Sequence, residues 1–353
     1  MMSWEDGIWK GVPYTPGEQP KRDNLIKLNT NECPYPPAPG VEKKLKEMEF
    51  GRFRLYPDPE ASSLVDALSG YYHVPSDQIF VGIGSDDVLA MAFLTFFRNG
   101  REILFPNITY SFYDVWANLY NIPFRQIPLK EDFSIDPSDY KRENGGVVIA
   151  NPNAPTSLFM PLSGIREILD ANRESVVIVD EAYIDFGGET ALPLIDEYEN
   201  LLVVRTFSKS RAMAGMRIGY AFGSKKLIGY LQDAKFSFNS YTMNMPSLEL
   251  GVEAVKDDAY FKEVCGKIVA TRDRVAEELK ALGFTMPKSS TNFLFASHEK
   301  VPAKELFEAM KKEGILVRFF DKPILNRYLR ITIGTDEQMD TMITFLKGYL
   351  ASK

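Results

Sequence analysis

Four short polar clusters in this sequence each border a run of apolar residues, and each offers a different chemistry. The first is Gly84-Ser85-Asp86-Asp87, after Ile79–Ile83. A helix starting there would aim unpaired backbone N–H groups at an anion such as phosphate, with its acidic side chains turned away. Ser85 or Asp86 could equally serve as the helix cap. The second is Asp180-Glu181-Ala182-Tyr183, directly after Val176–Val179. An acid ending a buried strand can meet a ligand, a metal or a helix start. With no histidine beside it, a cationic organic cofactor suits it better than a transition metal. The third, Ser208-Lys209-Ser210, follows Leu201–Val204. Lys209 is either a solvated loop lysine or an amine positioned to form a Schiff base. The fourth, Ala214-Gly215-Met216-Arg217, precedes Ile218–Phe222. The planar fork of Arg217 matches a phosphate, although a lone arginine is also a common surface charge.

The apolar runs are the elements that must position these groups. Ile79–Ile83, Ile103–Phe105, Val147–Ala150, Val176–Val179, Leu201–Val204 and Ile218–Phe222 are nearly continuous, as strands covered on both faces should be. Helical stretches such as Asp87–Arg98 and Ser163–Asn172 lie between them. That alternation predicts an α/β fold with a mostly parallel sheet, and ligands of such sheets bind at the carboxyl ends of the strands. After about residue 246 the character changes. Asp258–Leu282 reads as one long amphipathic helix stopped by Gly283, followed by strands at Asn292–Ala296, Ile315–Phe319 and Leu329–Ile333. Thr335 to Gln338 has the pattern of a capping box. The expected organisation is an arm at 1–40, a large domain at 41–245 and a smaller α/β domain at 246–353. The arm is rich in Pro and Gly, is expected to hold neither helix nor packed strand, and joins the smaller domain.

Composition narrows the class of function. A formal net charge of −7 disfavours a general nucleic-acid binder, which needs a basic face. Cys33 and Cys265 have no metal or redox spacing, and His73 and His298 are the only histidines, which excludes a multi-histidine metal centre. No run is long and apolar enough for a membrane span, and residues 1–40 lack a signal-peptide pattern, so the expected location is the cytoplasm.

Taken in order, the clusters resemble the fold-type I aminotransferases that use pyridoxal 5′-phosphate (PLP), a large domain with a mostly parallel sheet between helices plus a smaller α/β domain. The likeness extends through Leu28-Asn-Thr-Asn-Glu32, Arg54-Leu-Tyr56-Pro57-Asp58, Thr109-Tyr110, Asn151-Pro-Asn-Ala-Pro-Thr156 and Leu329-Arg330-Ile-Thr-Ile-Gly-Thr335, and is greatest to the histidinol-phosphate aminotransferases. The resemblance implies that Lys209 forms a Schiff base with PLP, Asp180 pairs with the pyridine nitrogen, Tyr183 bonds the ring hydroxyl and Tyr110 stacks on the ring. It assigns the phosphate to Ser85, Asp86, Ser208 and Arg217, with Tyr56 reaching it from a second subunit of a homodimer with shared sites. Arg330 binds a substrate anion, with Tyr14 and Arg318 as further substrate contacts. The implied partners are glutamate or 2-oxoglutarate and histidinol phosphate, with no nucleic acid, membrane or metal. One departure stands out: the family's Asn before Pro-Thr is Ala154 here, so either Asn153 reaches the ring hydroxyl or Tyr183 holds it alone. The usual Gly after Pro-Thr is Ser157.

Related readings share this site. An aromatic-amino-acid aminotransferase or a threonine-phosphate decarboxylase would use nearly the same residues. A nucleotide-binding oxidoreductase fits less well, because Gly82-Ile83-Gly84 lacks the third glycine of the dinucleotide fingerprint. A PLP-binding regulator would need a nucleic-acid module that the sequence does not display.

Overall fold

In the computed structural model, which describes residues 3–11, 13, 17, 18 and 24–353, the apolar runs become the centre of a seven-stranded sheet. The chain passes through β1 (Ile26–Leu28), α1 (Pro39–Glu47), α2 (Ser62–Tyr72), β2 (Ile79–Gly82), α3 (Gly84–Phe96) and β3 (Ile103–Pro106). It continues as α4 (Tyr113–Leu119), β4 (Phe124–Ile127), β5 (Gly146–Ala150), α5 (Leu162–Ala171), β6 (Val177–Asp180) and β7 (Leu201–Thr206). β8 (Gly219–Gly223), α6 (Lys225–Phe238) and α7 (Met245–Lys256) complete this half.

The sheet order is β2-β8-β7-β6-β5-β3-β4, parallel from β7 to β4, with β8 antiparallel to both neighbours. Alternate residues of each central strand enter opposite cores. Val177 and Val179 pack with α2, α5 and α7, whereas Ile178 packs with α3, α4 and α6. Strands buried on both faces have no polar side to advertise, which is why they read as unbroken apolar runs.

The second half comprises α8 (Asp258–Ala281), β9 (Phe284–Thr285), β10 (Phe293–His298), α9 (Ala303–Lys312), β11 (Ile315–Phe319), β12 (Leu329–Thr332) and α10 (Asp336–Ala351). Its five-stranded sheet has the order β1-β11-β12-β10-β9. Gly283, at φ +87, follows Leu282, the C-cap of α8, and Thr335 and Gln338 form the expected capping box on α10. The aliphatic face of α8 (Val264, Ile268, Val275, Leu279) joins Met342 and Leu346 of α10 over this smaller sheet.

One expectation is corrected. Residues 26–28 form a strand, β1, which pairs in parallel with β11 from Ile26↔Ile315 to Leu28↔Val317. Three residues are too few for a periodic signal, and the surrounding prolines hid them. In addition, α7 buries Leu248, Leu250, Ala254 and Val255 in the core of the larger sheet. α7 thus packs with the larger sheet, whereas α8 packs with the smaller one.

Candidate active site

The sheet topology explains why the four clusters meet. β2, β7 and β6 end on the same edge, and antiparallel β8 begins there, with Gly219 opposite both Gly82 and Thr206. Ser85, Asp86, Asp180, Tyr183, Ser208, Lys209 and Arg217 all line one cavity at this edge, together with Tyr110.

The anion-binding end starts at α3. The helix begins at Gly84, earlier than expected, with Ile83 as its cap. Ser85 and Asp86 therefore occupy the first turn, where backbone N–H groups have no intrahelical acceptor. Asp87 supplies the local bond instead, its Oδ2 accepting from Ile83 N at 2.9 Å. Two glycines permit the close approach. Gly84 has φ +83, and a Cβ on it would strike the Arg217 guanidinium. A Cβ on Gly219 would overlap the Gly84 carbonyl and Ser85 N. Asp86 turns its carboxylate to Tyr110, whose hydroxyl donates at 2.7 Å, and to Arg217 Nη2 at 3.4 Å. Ser208 Oγ lies 2.9 Å from the Thr206 hydroxyl. Amides, a hydroxyl and a guanidinium thus converge as a phosphate would require.

The opposite end holds the acid and the amine. Asp180 is 5% exposed, and burial pushes its pKa up from 3.8 to about 6. Bonds from the Tyr113 hydroxyl (2.9 Å) and Ala182 N (3.2 Å) oppose that rise. A carboxylate this costly to ionise would be stabilised by a cation placed beside it. Glu181 turns the other way, to Arg205 at 2.9 Å, Ala191 N at 2.6 Å and Thr190 at 2.7 Å. That buried pair braces the loop carrying Tyr183. The Tyr183 ring packs edge-on against Phe293, and its hydroxyl accepts from Asn31 Nδ2 at 2.9 Å. Lys209 Nζ lies 5.8 Å from the centre of that ring and donates to Thr30 O at 3.3 Å.

Asn153 requires a correction. Its Nδ2 donates to Ile108 O at 2.9 Å and Thr156 Oγ1 at 2.8 Å, and its Oδ1 accepts from Thr109 Oγ1 at 2.7 Å. Spent on Thr156 of its own loop and on Ile108 and Thr109 of the loop after β3, and 3% exposed, it is not part of the cavity lining; Ala154 is. Arg318 and Arg330 are register partners on β11 and β12 and line an adjoining cavity that shares Tyr110, Ala154 and Tyr183 with the first. Tyr56 is 80% exposed and stacks on Tyr241, away from this chain's own cavity lining. Tyr14 lies outside the described residues.

Several cavity residues were not singled out from sequence. Thr30 and Glu32 come from the segment after β1, where only their order in a motif was visible. Burial raises the Glu32 carboxyl, but bonds from Lys27 and Thr30 and the charges of Lys27 and Lys209 outweigh it and hold the pKa low. Tyr113 sits in the second core and reaches Asp180 from below, a contact only the fold reveals.

The Aminotransferase class I and II family profile matches residues 23–346. The chain is 50% identical over 336 residues to the histidinol-phosphate aminotransferase of Brachyspira hyodysenteriae, covering 95% of each. It is 48% identical over 352 residues to that of Lactococcus lactis subsp. cremoris, covering 100% of this chain and 99% of the other. Among solved structures, the Sinorhizobium meliloti histidinol-phosphate aminotransferase in complex with pyridoxal-5′-phosphate superposes with a TM-score of 0.84 at 25% identity, covering 93% of this chain and 91% of the other. With a fold-type I architecture and an anion cradle, a buried acid and a lysine at one sheet edge, the chain belongs to the class I and II aminotransferases.

Proposed function

We propose that the chain is a PLP-dependent aminotransferase that transfers the amino group between histidinol phosphate and 2-oxoglutarate in histidine biosynthesis. The observation that carries the PLP assignment is the presence of Lys209 and the buried, hard-to-ionise Asp180 in one cavity with the Gly84–Arg217 anion cradle. Relatives near half identity over almost the full chain support the substrate.

When bound, PLP supplies an electron sink for the charge left as the substrate Cα loses its proton. Lys209 would hold the cofactor in the cavity and, as a free amine, would move the proton at the substrate Cα. Asp180 holds the pyridine nitrogen in its protonated form. Tyr183 donates to the ring hydroxyl, and Tyr110 covers a ring face. The amides of Ser85 and Asp86, the Ser208 hydroxyl and Arg217 hold the phosphate. Arg330, with Arg318 beside it, binds the substrate anion. A guanidinium accepts either a carboxylate or a phosphate, so the same group can serve glutamate and histidinol phosphate in the two half-reactions.

The site is completed in a cytoplasmic homodimer, with Tyr56 reaching the phosphate of the second subunit. Supporting this are the exposed aromatic side chains of Phe50 (83%), Tyr56 (80%) and Phe238 (73%), which a second subunit could cover. Among the described residues no helix is long and apolar enough to cross a membrane.

The substrate is tested by steady-state kinetics with histidinol phosphate and phenylalanine as competing donors. The expected result is a higher kcat/KM for histidinol phosphate. A higher value for phenylalanine would overturn the assignment in favour of an aromatic-amino-acid aminotransferase.

A further inference from the structure

With Asn153 spent on Thr156 and on the loop after β3, and Ala154 offering only a methyl group, Tyr183 is the side chain left to bond the ring hydroxyl of the cofactor. A phenol can do this usefully only if its own proton points into the cavity. Tyr183 is also within reach of a second group, Asn31, and the direction of that bond decides where the proton goes.

The surroundings of Asn31 fix the direction. Asn31 is 1% exposed, follows β1, and has a left-handed backbone (φ +56) that asparagine tolerates. Its backbone N–H donates to Thr332 Oγ1 at 3.0 Å, and the Thr332 hydroxyl donates back to Asn31 Oδ1 at 3.0 Å. Asn292 Nδ2 holds the Asn31 carbonyl at 3.0 Å. Thr332 is 2% exposed, so turning the amide over would strand its hydroxyl proton in the interior. The Asn31 nitrogen therefore faces Tyr183 and donates to its oxygen at 2.9 Å. A phenol oxygen receiving that bond keeps its own proton for another acceptor.

We propose that Asn31 is a positioning residue: anchored by Thr332 and Asn292, it turns the Tyr183 proton into the cavity toward the ring oxygen of the bound cofactor. This rests on the PLP reading above. It gives the segment after β1 and the smaller sheet a part in setting the electronic state of a cofactor held on the larger sheet. A donor to the ring oxygen stabilises its negative charge and so weakens proton binding by the chromophore. The other charged groups lining the cavities that Tyr183 borders are Lys209 from the loop after β7, Asp180 from β6, Glu32 from the segment after β1, Asp86 from α3 and Arg217 before β8, with Asp114, Arg318, Lys322 and Arg330 in the adjoining cavity.

The test is the pH midpoint of the bound cofactor's absorbance change in the purified holoenzyme, wild type against Asn31→Asp, Tyr183→Phe and the double variant. Asn31→Asp preserves shape but accepts on both oxygens, so it draws the phenol proton out of the cavity. The midpoint should rise by about one pH unit, a tenfold gain in proton affinity. Tyr183→Phe should do the same, and the double variant should rise no further. Additive shifts would mean that the new charge acts directly, and a lowered thermal midpoint with an unmoved absorbance midpoint would mean that Asn31 only packs. Either result overturns the proposal. Absence of a cofactor band in the wild type would instead remove the PLP reading, and the inference with it.

Discussion

Replacing Asp180 by asparagine should stabilise the cofactor-free protein while destroying its use of the cofactor. Asp180 lies 5% exposed at the end of β6, with its pKa raised from 3.8 to about 6 by burial. Because the folded-state value is the higher one, the folded protein binds the proton more tightly than the unfolded chain. The contribution is therefore favourable at low pH and is lost as pH rises from about 4 to about 6. Each tenfold change in proton affinity is worth about 1.4 kcal/mol, so ionised Asp180 costs the folded protein about 3 kcal/mol. The carboxylate accepts two bonds, from Tyr113 and Ala182 N, and an amide can keep one of them. Losing the other costs about 1 kcal/mol, which leaves a net gain of about 2 kcal/mol. Thermal unfolding of cofactor-free wild type and Asp180→Asn, followed by circular dichroism at several pH values, measures this. The variant should melt higher near pH 8, and the advantage should vanish near pH 4. A variant that melts lower near pH 8, or whose effect ignores pH, would refute the argument that burial is what strains this acid.

Other positions give independent checks. Arg205→Met leaves Glu181 buried without its partner and should cost about 3–5 kcal/mol in urea unfolding, because the removed charge is not replaced. Gly219→Ala pushes a methyl group into the Gly84 and Ser85 backbone, so it should lower stability by about 1–3 kcal/mol and weaken cofactor binding in a fluorescence titration. Thr335→Ala removes the capping box of α10, which lies outside both cavity linings; it should cost about 1 kcal/mol in unfolding and leave cofactor affinity unchanged.

The parts of the fold that sequence reveals are those whose physics is local. Val176–Val179 and Leu201–Val204 are continuous apolar runs because both faces are covered, and the polar residues that follow them mark the binding edge directly. The α10 capping box is equally local, since the four residues from Thr335 to Gln338 contain both of its bonds. β4 has a different signature: Arg125 and Gln126 are exposed on this edge strand, so its pattern falls between the helical and strand templates. β1 exists only because β11, almost three hundred residues later, offers it hydrogen-bond partners.

The candidate site shows the same limit. Lys209, Asp180 and Arg217 stand out because charged groups are conspicuous next to buried strands. The Asn153–Ala154 step does not resolve from sequence, since adjacent residues in a loop face different ways and only the bonds to Ile108, Thr109 and Thr156 show which one is spent. Asn31 acts through partners at Thr332 and Asn292, and no spacing rule connects residues that far apart.

The central claim is that Lys209 carries the cofactor. Borohydride reduction of the holoenzyme fixes the lysine–cofactor link, and peptide mass spectrometry then locates the added mass. The account predicts it on the peptide containing Lys209, and its absence from that peptide in Lys209→Ala. An adduct on another lysine, or one that survives Lys209→Ala, would contradict it.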